Sequence, residues 1–340
     1  MKRTGALAAI FAFTVFFIFS GCDNGPLKNP LDTGNGNGNA NNGGTDISPP
    51  ALVDGVLVAD STDPYLLIPK RGYNYEVPDN PDWGNHWGVK HITQVSDSFL
   101  KRPVFALVVH YDSDVKDTWM NSDERDKGPN DLLNSLQIDR QRNEIKTDAN
   151  SPDWGKAAEG SNVVYRWKFK LPAGFVASAQ FTHIHQLKAV DGDESQPIIT
   201  VTVRKRTGSS QQEMQLIYNY SSDTGSNIYL IEKIPLDDFL DEWVTVEEKA
   251  VYSSANPAYE FTATRMRDGK ELMHYIYNAA AWNESVPFRL IRPDNTFVRP
   301  KWGIYRQILR DNNGTMVEVT GPLRDETILF ADFEIVPSAK

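Results

Sequence analysis

The amino-acid sequence predicts an all-β protein, a sandwich of antiparallel sheets, and three observations predict it. From Ala51 onward the chain breaks into short runs rich in β-branched and aromatic residues, among them "PVFALVVHY", "NVVYRWKFKL", "PIITVTVRKR", "EWVTVEEKAVY" and "TILFADFEIV". Clusters of Gly, Pro, Asn and Asp separate these runs, as tight turns between antiparallel strands require. No long segment carries the 3.6-residue periodicity of an amphipathic helix. Hydrophobic residues make up 40% of the 340, enough for a sizeable core. No internal repeat or second linker divides residues 51–340, which read as one domain.

The segments before that domain read differently. Residues 1–22 open with Lys2 and Arg3, continue with an apolar stretch from Ala6 to Phe19, and end in Ser20, Gly21 and Cys22. The stretch is short for a membrane span and has the layout of a secretion signal. Its ending resembles a bacterial lipoprotein signal, which implies lipidation of Cys22 and a membrane anchor at the bacterial cell envelope, periplasmic or surface-exposed. Residues 23–50 are Gly, Asn and Pro with almost nothing to bury, a flexible tether. Cys22 is the only cysteine, so neither an intrachain disulfide nor a cysteine-based zinc site is available.

The net charge of −10 argues against a nucleic-acid partner. It leaves room for an acidic ligand, because a local basic groove can form in an acidic chain. One basic stripe is visible in "YRWKFKL": Tyr165, Trp167, Phe169 and Leu171 alternate with Arg166, Lys168 and Lys170. That stripe fits either a solvated outer face or a groove wall.

Three strands carry unusual chemistry. In "QIDRQRNEIKT", Arg140, Arg142, Glu144 and Lys146 share one face, and the other face is polar too. Such a strand is an edge strand or the floor of a polar cleft, in which Glu144 would hold Arg142 in orientation. In "FTHIHQLK", ideal alternation puts His183 and His185 on one face and Ile184 and Gln186 on the other. The pair suits a core oddity, a metal pair or an active-site groove; no third metal ligand is marked nearby, and none is assigned. In "RPKWGIYRQI", Lys301, Gly303 and Tyr305 share a face, with the glycine leaving room for a close approach. His86, His91, His110 and His274 read as surface or structural residues.

Together these strands offer Arg, His, Lys and Tyr, a set suited to β-elimination at an acidic sugar. That reaction needs a cation or donor at the uronic carboxylate, a base for the C5 proton and an acid for the departing glycosidic oxygen. No cofactor is called for. Loops such as "DSTD" and "DNNGT" could take a structural calcium, but turn-forming Asp and Asn explain them as well.

In order and facing the three strands resemble the jelly-roll polysaccharide lyases of the alginate-lyase type and their glucuronan- and heparin-lyase relatives. That pattern is Arg-x-Glu, then Gln-Ile-His, then Lys-x-Gly-x-Tyr. Here it is met by Arg142-Asn143-Glu144, His183-Ile184-His185 and Lys301-Trp302-Gly303-Ile304-Tyr305. The resemblance implies a jelly-roll, concanavalin-like sandwich and a uronate-containing polysaccharide as substrate. It makes Arg142, His185 and Tyr305 catalytic: Arg142 at the carboxylate, His185 neutralising it or acting as base, and Tyr305 as acid or also base. Substrate-binding roles fall to His183, Lys301, Glu144, Lys146 and Arg140. Trp243 in "DEWVTVEE" matches a tryptophan that opens a strand in such sandwiches. The departure is His183, which stands where the pattern has Gln.

Two other functions compete. A non-catalytic carbohydrate-binding module on the same fold could use the eight tryptophans and thirteen tyrosines as stacking platforms. It has no need of an acid/base pair. A sandwich-fold glycoside hydrolase needs two carboxylates across a groove, and no tight Glu-x-Asp-x-x-Glu motif is present.

Overall fold

The computed structural model of the chain describes residues 53–77, 90–110, 140–205, 210–222, 225–282, 287–307, 309–312, 315–318 and 324–338. Cys22, the leader, the tether and His86 lie outside the described residues. The described strands belong to the compact unit Ala51–Lys340.

Two antiparallel sheets form a jelly-roll sandwich. The first contains β1 (Val56–Leu57), β3 (Ile92–Asp97), β4 (Arg102–Val109), β6 (Ser161–Lys170), β11 (Trp243–Tyr252), β12 (Ala258–Arg265), β13 (Glu271–Ile276) and β17 (Glu326–Pro337). Its order is β13-β12-β11-β6-β17-β4-β3, with β1 added to β17. The second contains β2 (Asn74–Glu76), β5 (Arg140–Lys146), β7 (Thr182–Val190), β8 (Ile199–Lys205), β9 (Gln212–Ser222), β10 (Gly225–Pro235) and β14 (Phe297–Gln307), in the order β10-β9-β8-β7-β14-β5-β2. A separate hairpin pairs β15 (Leu309–Asn312) with β16 (Thr315–Glu318). The chain repeatedly crosses from one sheet to the other, as between β4 and β5, β6 and β7, and β13 and β14.

Period-2 alternation builds the core. Tyr165, Trp167 and Phe169 of β6 point between the sheets with Val244 and Val246 of β11 and Phe330 and Phe333 of β17. Each such side chain contributes about 1.5–3 kcal/mol on burial. Trp243 does open a strand and is buried. The basic stripe of β6 is a solvated outer face. Arg166 bonds Glu247 at 2.7 Å and Glu334 at 3.1 Å, Lys168 pairs with Asp332, and Lys170 sits 2.8 Å from Asp241.

One short helix, α1 (Pro64–Lys70), interrupts the β pattern. Asp63 caps it by accepting from the Tyr65 amide at 2.9 Å, Pro64 occupies its first turn, and Leu67 and Ile68 are buried. Seven residues are too few for helical periodicity to register in the sequence.

Candidate active groove

The groove lies on the face of the second sheet that points away from the first. Its floor starts with β5 and β14, which run antiparallel with Lys301 opposite Lys146, Gly303 opposite Glu144 and Tyr305 opposite Arg142. Alternation turns Arg140, Arg142, Glu144 and Lys146 to the groove, beside Lys301 and Tyr305. Gly303 is required here: a Cβ would lie 2.0 Å from the Asn143 carbonyl oxygen and 2.7 Å from the Glu144 Cα, both backbone atoms. The missing side chain lets the two strands close up.

The polar inner face of β5 is hydrogen-bonded rather than apolar. Asn143 Nδ2 donates to the carbonyls of His91 and Val108 at 2.7 and 2.8 Å, and Gln141 Oε1 accepts from Arg306 Nε at 2.8 Å. That strand is therefore the floor of a polar cleft, one position in from the edge strand β2.

β7 corrects the expectation that His183 and His185 share a face. Against β8, His183 pairs with Thr202 but His185 pairs with Val201, so β7 carries one extra residue between them. The bulge turns both Ile184 and His185 into the sandwich. His185 is buried between Trp167 and Trp302, with ring centroids at 5.2 and 5.5 Å. Its Nδ1 donates to the Lys301 carbonyl at 3.0 Å, and its Nε2 meets Glu248 Oε2 at 2.8 Å. Glu248 in turn accepts from the Tyr259 hydroxyl at 2.6 Å. With both nitrogens engaged inside the core, His185 has no access to a substrate, and its assignment as catalytic residue is overturned. Facing opposite sides of the sheet, the two histidines also cannot share a metal ion. Among the described residues, no group of three His, Cys, Asp or Glu side chains is arranged to hold one.

The same bulge restores a glutamine to the groove. Gln186 faces outward opposite Lys301 and donates to Glu144. His183 and Gln186 thus form the outward pair, in place of His183 and His185.

His183 lies opposite Tyr305, with ring centroids 5.7 Å apart, and stacks on Phe181 at 4.5 Å. Arg140 Nη1 donates to the Tyr305 hydroxyl at 2.9 Å, and the Arg142 guanidinium lies 4.2 Å from the Tyr305 ring centroid. Arg142 is held by Glu76 and by Glu144 at 3.6 Å, the orienting role the sequence suggested for Glu144. Lys301 contacts Glu144 at 2.6 Å and Glu76 at 3.0 Å, and Lys146 contacts Glu76 at 3.0 Å. Burial pushes the Glu76 carboxyl up, but Lys301, Arg142 and Lys146 outweigh it and hold it well below the usual carboxylate range. Burial lowers Arg142, while Glu76 and Glu144 more than compensate and raise it.

Burial, and then Arg204, Arg142, Lys301 and Arg140, push the His183 imidazole down to about 3, so it is neutral at pH 7. Thr202 Oγ1 donates to Thr200 Oγ1 at 2.9 Å, which leaves it to accept from His183 Nδ1 at 2.7 Å. In this tautomer the Nε2 lone pair is unprotonated.

The groove encloses about 480 Å³. Seven basic side chains line it (Arg140, Arg142, Lys146, Lys188, Arg204, Arg299, Lys301) against two acidic ones, Glu76 and Glu194, with Glu144 buried beneath Lys301 and Arg142. A strongly basic groove thus sits in a chain of net charge −10. Sequence reasoning missed Glu76, Gln186, Lys188, Thr202, Arg204 and Arg299. Arg299 was within reach, since it continues the alternation of Lys301, Gly303 and Tyr305. Gln186 was hidden by the bulge, and Glu76 comes from a segment with no motif.

No family model and no curated protein matches the chain. Solved structures do. The exolytic PL7 alginate lyase from Zobellia galactanivorans aligns at 11% identity over 82% of this chain and 99% of its own, with a TM-score of 0.49. An alginate lyase from Klebsiella pneumoniae aligns at 11% identity over 79% and 96%, TM-score 0.46. A family 7 alginate lyase in complex with substrate (GGMG) aligns at 10% identity over 74% and 82%, TM-score 0.40. The chemistry of this chain is read from its groove.

Proposed function

We propose that the chain is a polysaccharide lyase that cleaves a uronate-containing polysaccharide by β-elimination. The observation that carries the proposal is the Tyr305 hydroxyl, held by Arg140 at 2.9 Å, beside a neutral His183 on the floor of a basic groove. In this reading His183 Nε2 takes the C5 proton and the C5–H electron pair becomes the C4–C5 double bond. The C4–O bond breaks, and Tyr305 gives its proton to the leaving oxygen. Arg142 supplies positive charge where negative charge spreads into the carboxylate, and Glu76 and Glu144 keep it oriented. Arg140 and Arg142 also stabilise the phenolate left on Tyr305. Lys301, Lys146 and Gln186 line the path of the polymer. His183 therefore takes the base role that the motif pattern gave to His185.

The leader and tether support a location for this groove. Lys2, Arg3, the apolar stretch and Cys22 fit secretion and lipidation, which would hold the lyase at the bacterial cell envelope with its acidic substrate outside the membrane.

The test is the ultraviolet absorbance of the unsaturated uronate product, measured on alginate, glucuronan, heparin-type and pectic polymers. Turnover on one polymer is expected, with Tyr305→Phe lowering kcat by at least about a hundredfold while binding persists. Binding without absorbance on any polymer would replace the lyase by a carbohydrate-binding protein.

A further inference from the structure

Beyond the reacting residues, the groove contains a pair of basic side chains with no acid within ion-pair distance among the described residues. Lys188 of β7 and Arg299 of β14 are direct cross-strand partners on the groove face. Like charges directly opposite one another destabilise a sheet. The neighbouring pair, Lys146 and Lys301, is also cross-strand, and there the repulsion is answered: Glu76 lies 3.0 Å from both ammonium groups. Lys188 makes no hydrogen bond or ion pair among the described residues. Arg299 spends Nη1 on the Thr147 carbonyl at 3.3 Å, and its Nε is buried without a hydrogen-bond partner. Resting on the lyase reading, we propose that Lys188 and Arg299 form a second carboxylate site, which binds a uronate of the polymer away from the sugar being cleaved and so selects chains with uronates on both sides of the scissile bond.

Distance separates this site from the reacting one. Arg299 and Tyr305 are six residues apart on one strand, roughly 20 Å at the usual rise. One carboxylate cannot reach both, so the second site takes a different sugar. The electrostatics of Lys188 agree with this placement. Burial pushes the Lys188 ammonium down to about 8; Glu194 opposes the fall, and Lys301, Arg299 and Arg142 add to it. A bound carboxylate supplies the missing negative charge.

The experiment measures binding of alginate- and glucuronan-derived hexasaccharides to full-length protein carrying Tyr305→Phe, alone and combined with Lys188→Gln or Arg299→Gln, by calorimetry. Each added substitution should weaken binding about tenfold or more, the worth of a hydrogen bond to a charged group. The Lys188 effect should disappear as the pH rises well past about 8, where the amine is already neutral. Melting temperature should hold or rise in Lys188→Gln, because a repulsion is removed. Equal affinity with and without the two substitutions overturns the site. Weakening by inorganic sulfate competition alone, with no loss in the variants, overturns it as well. Hexasaccharide binding that depends on Lys188, together with no elimination by the unsubstituted protein, sinks the lyase reading and leaves the carboxylate site standing.

Discussion

Replacing His185 by leucine separates the structural role argued here from a catalytic one. The imidazole and the Glu248 carboxylate are both fully buried and share the contact at 2.8 Å. One proton lies between them whichever group holds it. Removing the ring leaves the carboxylate with only Tyr259 at 2.6 Å, and the Lys301 carbonyl loses its donor at 3.0 Å. Breaking one side of such a pair costs about 3–5 kcal/mol. At about 2–4 °C per kcal/mol for a large domain, that lowers Tm by roughly 10 °C. Glu248→Leu should cost a similar amount. The double variant should recover much of the loss, because replacing both partners by apolar groups is often neutral. The assay is a double-mutant cycle in urea, with kcat/KM measured at a temperature where every variant is folded. There, kcat/KM for His185→Leu should stay within a few-fold of the unsubstituted protein, while His183→Ala should lose most of it. A His185→Leu protein of unchanged Tm with turnover abolished would refute the reasoning.

Two further outcomes test the groove itself. Gly303→Ala puts a Cβ 2.0 Å from the Asn143 carbonyl oxygen, so β5 and β14 must part; denaturant unfolding should show a loss of about 3 kcal/mol, the upper end of overpacking costs, and an unchanged midpoint would sink the close-approach argument. His183 is held below its ordinary 6.5 at about 3, so between those values the unfolded chain binds the extra proton and stability falls as pH falls. Relative to His183→Gln, the unsubstituted protein should lose stability on acidification through that window, by at most about 1.4 kcal/mol per pH unit and less because the ring is partly exposed; parallel stability profiles would contradict it.

Much of the molecule was legible in local pattern. The strands found at β4, β6, β8, β9, β11, β12 and β17 coincide with runs visible in the sequence: β6, β11, β12 and β17 leave a period-2 record of which side meets water, whereas β4, β8 and β9, buried on consecutive residues, show as continuous β-branched and aromatic runs. β5 and β14 kept that record on the groove face as well, so alternation placed Arg140, Arg142, Glu144 and Lys146 on one face and Lys301 and Tyr305 on another, and the resemblance joined the two into one groove. β7 did not. Its bulge appears only in the pairing, as shifts of register against β8 and β14, and one extra residue inverts every inference about facing beyond it. His185 therefore moved to the core and Gln186 to the groove. Glu76 and the Lys188–Arg299 pair were equally out of reach, since strands far apart in the chain bring them together and a charge acquires its meaning from its neighbours. The sequence by itself determined the β-sandwich and the face of two groove strands, because alternation is local. Only the tertiary structure decided which histidine can meet a substrate and which basic residues lack an ion-pair contact, because register and pairing are set between strands.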